Sequence, residues 1–187
     1  MFDSVIASIK GFGNFPGEEL VAITQCLKPL TLRKDALLIK EGQVCRQFYF
    51  LRSGCLRNYE IQDDGNEVTL NLYVENDWVM EYRSLIRQQP AETAIQATED
   101  SELFELGLHE FHQLARQSES FFRIGRIFEI TVQNQDYQNT RLSPEEKYER
   151  LLATRPRIIQ QFPLKYIASY LGITPETLSR VRRRIIS

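Results

Sequence analysis

The sequence predicts an α+β protein: an antiparallel β domain first, then helices, with a paired-helix unit at the C-terminal end. Three observations carry this. Short apolar or alternating runs separated by turn residues fill the stretch from Ala36 to Gly107. The hydrophobic period then changes from two to about 3.6 after Leu108. Finally, the residues from Leu164 to Arg183 satisfy the twenty-residue template of a helix-turn-helix.

The opening segment contributes a helix over Glu18–Leu27, with Leu20, Ile23 and Leu27 on one face. Strands follow at Ala36–Ile39, Phe48–Arg52, Leu56–Ile61 and Glu67–Val74, then at Thr93–Thr98 and Glu102–Gly107. Asp63-Asp64-Gly65-Asn66 between the third and fourth is a hairpin signal. Strands at this spacing indicate a sandwich or a barrel. His109–Gln117 reads as a short helix and Glu119–Thr140 as a longer one. In the longer one Phe121, Ile124, Phe128 and Thr131 form a near-heptad seam. Such a seam suits a dimer contact, or a helix laid on its own domain's sheet.

A boundary falls at Arg141-Leu142. Ser143-Pro144-Glu145-Glu146 then places an N-cap, a first-turn proline and a capping-box glutamate in order. The predicted division is a β domain over 1–118, a long dimerisation or linker helix over 119–141, and a helix-turn-helix domain over 142–187.

Charge separates the same regions. From Arg141 onward ten Lys or Arg stand against four Glu, a net +6, so residues 1–140 carry −8 of a chain total of −2. A compact basic end on an acidic body points to a polyanion partner for that end. No apolar run has the length that spans a bilayer, and MFDSVIASIKGFG lacks the apolar core of a secretory signal. A cytoplasmic protein is the expectation, with no membrane partner. Cys26, Cys45 and Cys55 are widely spaced and the only histidines are His109 and His112, so no metal site and no cofactor are expected. An enzyme is not expected either. No Ser/His/Asp set or phosphate-cradling glycine loop stands out, and a cupin-type metal cluster in the sheet lacks its histidines.

Each helix-turn-helix residue has a steric role. Ala168 is small where two helices cross, and Gly172 permits the tight turn between them. Ile167, Leu171, Ile173, Leu178 and Val181 supply the apolar side, while Thr174 and Pro175 start the second helix. That helix, over 175–186, turns Leu178, Val181 and Ile185 inward. Its opposite side offers Thr174, Glu176, Thr177, Ser179, Arg180, Arg183 and Arg184 as DNA-binding candidates. Arginine donates a bidentate pair to guanine, and glutamate accepts from the cytosine amino group.

The order of elements resembles the Crp/Fnr superfamily of bacterial transcription regulators over nearly the whole chain. PETLSR matches the E-x-x-S-R recognition pattern of the Fnr branch, which implies base-reading roles for Glu176, Ser179 and Arg180. GQVCRQFYFLRSGCLRNYEI is similar to the turn–strand–turn–strand run of cyclic-nucleotide-binding domains, with Gly42 and Gly54 as turn glycines. The resemblance implies a β-roll of two antiparallel sheets, a homodimer and a palindromic DNA operator; RNA polymerase is a candidate partner if the helix pair docks on protein instead. It also implies an effector pocket, for which Glu81, Arg83, Glu92 and Thr93 are the candidate residues.

Two features depart from that family. Its ligand-binding members carry a Gly-Glu-Leu helix start and an Arg-Ser-Ala or Arg-Thr-Ala run. Here WVMEYRSL keeps Glu81 but puts Met80 at the glycine, and QQPAETAIQA keeps Thr93-Ala94 but puts Ala91 or Glu92 at the arginine. A cyclic phosphate facing a carboxylate loses its charge-assisted bond, so cyclic AMP is not the expected effector. The family's wing after the recognition helix is expected to be reduced or absent, with Arg182, Arg183 and Arg184 supplying phosphate contacts instead. The competing readings are a cyclic-nucleotide-responsive regulator and a protein-interaction module that reads no DNA.

Overall fold

A computed structural model describes residues 2–126 and 141–186, the last through its backbone only. Two helices, α1 (Asp3–Lys10) and α2 (Gly17–Cys26), precede the strands β1 (Lys28–Leu32), β2 (Leu37–Ile39), β3 (Gln47–Ser53), β4 (Leu56–Ile61), β5 (Glu67–Tyr73) and β6 (Trp78–Val79). Helix α3 (Tyr82–Arg87) leads into β7 (Ala94–Ala97) and β8 (Ser101–Gly107), and α4 (Leu108–Gln117) closes the domain. Among the described residues the strands form two antiparallel sheets of four, ordered β1-β8-β3-β6 and β2-β7-β4-β5. This is the double-sheet roll that the family resemblance implies, where the strand spacing alone left a sandwich or a barrel open.

Strand alternation explains the core. Phe48, Phe50, Leu56, Tyr73, Ile95, Phe104 and Leu106 pack between the sheets, and α1, α2 and α4 add Val5, Ile9, Ile23, Phe111 and Leu114. Gly54 is obligatory at the β3–β4 turn. Its φ is +95°, and a Cβ there would lie 2.2 Å from the Ser101 hydroxyl. Burial pushes the thiols of Cys26, Cys45 and Cys55 upward, Cys55 to about 12, so at neutral pH they are protonated side chains of the packing.

The segment after α4 differs from the expected long helix. Residues Glu119–Gly125 form a 3₁₀ helix. The Ser118 hydroxyl accepts from the Ser120 amide, a local bond that competes with the α-helical pattern. In a 3₁₀ turn, residues three apart stack on one side. Phe121 and Ile124 therefore both enter the roll's own core, 1% and 2% exposed, with Phe121 facing the Phe15 ring at 6.4 Å. The dimer seam expected of these two is thus corrected: they are buried within their own chain. Phe128 and Thr131, the rest of the seam, lie outside the described residues.

The helical domain comprises α5 (Pro144–Thr154), α6 (Pro156–Gln161), α7 (Leu164–Leu171) and α8 (Pro175–Ile186). Its start is the capping box the sequence announced. Ser143 accepts from the Glu146 amide, and the Glu146 carboxylate accepts from the Ser143 amide at 2.7 Å. Those bonds hold the Glu146 carboxyl below its usual range. No helix among the described residues is long and apolar enough to cross a membrane.

Candidate nucleic-acid interface

The helix pair is built from its turn outward. Gly172 has φ +66°, the left-handed conformation that ends α7. The Ile173 amide donates to the Ala168 carbonyl at 3.0 Å and the Gly172 amide to the Ser169 carbonyl at 3.0 Å. Together these make a Schellman closure, which reverses the chain within three residues. Lys147 of α5 finishes it: its ammonium group is buried and donates to the Leu171 carbonyl at 2.9 Å. A cation there satisfies an orphan carbonyl and complements the negative end of α7. Nothing in the sequence pattern marks Lys147 for this role, because its partner is a backbone carbonyl 24 residues away.

Helix α8 begins on Thr174, whose hydroxyl accepts from the Thr177 amide at 3.2 Å. Ala168, Leu171 and Leu178 are completely buried where α7 and α8 cross, with Ile167 and Val181 beside them. Volume, not polarity, fixes the crossing: a larger residue at 168 would push the helices apart.

The packing leaves one side of α8 outward. Thr174, Glu176, Arg180, Arg183 and Arg184 are exposed, while Thr177 and Ser179 are half-buried at its margin. Among the described residues Glu176 and Arg180 enter no salt bridge. They lie four residues apart, one turn, on the first half of the helix. Arg184 donates to Glu145 at 2.7 Å. That pair is mostly solvent-exposed, so it is weak and is readily exchanged for a phosphate. The face therefore combines two side chains able to pair with base edges and, one turn on, a cationic end suited to phosphates.

The candidate effector residues are arranged differently. Glu81 is buried and caps α3, its carboxylate accepting from the Ser84 amide. Arg83 is 68% exposed and pairs with Glu92 at 3.3 Å on the surface. Thr93 is buried and accepts from the Asn58 side-chain amide at 3.0 Å. Glu81 and Glu92 thus have separate partners, one buried and one at the surface, and do not form a facing pair of carboxylates. His109 bonds Gln113 on the exposed side of α4.

Several comparisons agree with this architecture. Residues 29–118 match the family model described as the cyclic nucleotide-binding domain. The chain is 26% identical over 183 residues to the anaerobic regulatory protein of Pasteurella multocida strain Pm70. That match covers 90% of this chain and 66% of that protein, so the chain spans just under two thirds of the relative's length. FixK2 from Bradyrhizobium japonicum superposes with a TM-score of 0.71 at 18% identity, covering 86% of this chain and 84% of its own. A Crp/Fnr family protein from Eubacterium rectale gives 0.63 at 18%, covering 92% and 84%. Residues 29–118 thus form a cyclic nucleotide-binding-type domain, and the chain as a whole is similar in fold to Crp/Fnr family proteins.

Proposed function

We propose that this chain is a transcription regulator that binds DNA as a homodimer, each protomer placing α8 in the major groove of one half of a palindromic operator. The observation that carries the reading is the outward side of α8. A helix packed through Ala168, Leu178 and Val181 presents Glu176 and Arg180 to solvent, with no ion pair to either among the described residues. In this pose Arg180 donates two parallel bonds to guanine and Glu176 accepts from cytosine, each worth about 1–3 kcal/mol of discrimination. Thr174, Thr177 and Ser179 sit at the groove margin, and Arg183 and Arg184 reach phosphates. Dimer symmetry sets the two helices about 34 Å apart, one turn of DNA.

The β-roll is proposed to act without cyclic AMP. A cyclic phosphate needs a guanidinium, and the residues at that place are a buried Ala91 and an exposed Glu92 already paired with Arg83. Glu81 is held by the α3 amide.

Selection from a random pool of DNA duplexes tests the proposal. The expected result is a two-fold symmetric motif with half-site centres about one helical turn apart. Recovery of no motif contradicts it and favours the alternative, a helix pair that docks on another protein.

A further inference from the structure

The sheet β2-β7-β4-β5 has an outer face that strand alternation directs to solvent, yet much of it is buried. Cys55, Arg57 and Tyr59 of the β4 region point outward and are 1%, 3% and 7% exposed. Helical-domain residues cover them. The Cys55 thiol donates to the Gln161 side chain at 3.4 Å. Leu72 and Val74 share one apolar cluster with Ile158, Phe162, Ile167 and Tyr170.

Arg57 is the unusual member. Burial of a guanidinium is costly unless its charge and its faces are both used. Here the Arg57 guanidinium lies 4.2 Å from the Tyr59 ring centre and 4.3 Å from that of Tyr166, one ring from each domain. Glu67 on the neighbouring strand supplies the carboxylate. A planar, weakly hydrated cation between two aromatic rings is a stable arrangement, and it exists only while α7 lies on the sheet.

The free edge of β5 is covered by the same helix. The Thr69 backbone amide donates to the Ser169 hydroxyl of α7 at 2.8 Å. A second ion pair, Asp77 with Arg155, ties the β5–β6 turn to the start of α6, and Arg157 pairs with Glu75 at 3.4 Å beside it.

We infer that the helical domain is seated in one position on the β-roll by the outer face and edge of this sheet, and that Arg57 is the positioning residue. The recognition face of α8 stays outward in this seat, so the contact orients the helix without covering it. The consequence for DNA rests on the function proposed above: a seated domain fixes the separation of the two recognition helices, and an unseated one does not.

Amide hydrogen exchange on the full chain tests the seat directly. In Arg57→Ala the Thr69 amide is expected to exchange on the order of 100-fold faster, because it loses its cover through a local opening. The Phe50 and Phe104 amides, in the other sheet, are expected to stay protected. Tyr166→Ala removes the same stack from the helical side. It decides the matter if Arg57→Ala loosens the roll itself, and it should show the same acceleration. Unchanged Thr69 protection in both variants overturns the inference.

A series of operators with half-site spacing altered by single base pairs then reads the function. The wild type is expected to lose about 10-fold or more in affinity per inserted pair, and Arg57→Ala to bind all spacings within about threefold. Retained spacing discrimination in the variant rejects the positioning role. Should the wild type bind no duplex, the DNA reading falls, while the Thr69 result still judges the seat.

Discussion

The outward side of α8 and the effector region of the β-roll contain the same kinds of residue, arginine, glutamate and hydroxyl side chains, arranged to opposite ends. In the roll each candidate polar group is committed to its own fold: Glu81 to the α3 amide, Arg83 to Glu92, and Thr93 to Asn58. On α8 the fold is held by Leu178, Val181 and the Gly172 turn, which leaves Glu176 and Arg180 for a partner. Polar residues recruit a ligand when packing alone has already fixed their backbone. When they themselves hold the backbone, a ligand must compete with structure.

The largest effect that sharpens this contrast is on the packing side. Leu178→Ala removes a completely buried side chain from the helix crossing and is expected to destabilise the helical domain by about 2–5 kcal/mol. Thermal melting followed by circular dichroism checks it. A cost near zero would mean that the crossing does not hold α8.

A smaller effect concerns the cationic end. Replacing Arg182, Arg183 and Arg184 together by Ala should lower the steepness of log affinity against log salt by about 2 or more per helix, one for each lost phosphate contact. Binding isotherms at several salt concentrations measure it, and an unchanged slope assigns these arginines to the helix alone.

Smaller again is the contribution of the capping box. The Glu146 carboxyl is held below its ordinary range by the Ser143 amide and hydroxyl, so its stabilisation is present above the unfolded pKa and is lost as pH falls through the folded one. The wild type should therefore melt higher than Glu146→Gln at neutral pH, with the gap closing at about pH 4 and below. A gap independent of pH contradicts the assignment. The smallest effect is expected from cyclic AMP and cyclic GMP in thermal shift, no displacement of the melting temperature at millimolar ligand. A rise would show tight binding and restore the nucleotide reading of the roll.

Much of the fold is legible in the sequence where a single local cause acts. Alternation marked Leu56–Ile61, which is strand β4 residue for residue, and Ser143-Pro144-Glu145-Glu146 marked the start of α5. The helix pair was readable because Ala168 and Gly172 answer steric demands that few residues meet. Strand β1, with Pro29 inside it, and the two-residue β6 were not readable: β1 is set by its partner β8, and β6 by β3. The 3₁₀ turn at Glu119–Gly125 was hidden because Phe121 and Ile124, three apart, fit an α-helical seam equally well. Lys147 and Arg57 were invisible for a further reason. Each is explained by a partner distant in sequence, Leu171 and Tyr166, and only the folded chain brings them together.

The central claim is that Arg180 reads a base. Comparing the motif selected from random duplexes by the wild type with that selected by Arg180→Ala tests it most directly. The account predicts that the variant keeps a symmetric motif and its melting temperature but loses preference at one base pair in each half-site, at a cost of about 1–3 kcal/mol. An identical motif from both proteins would contradict it.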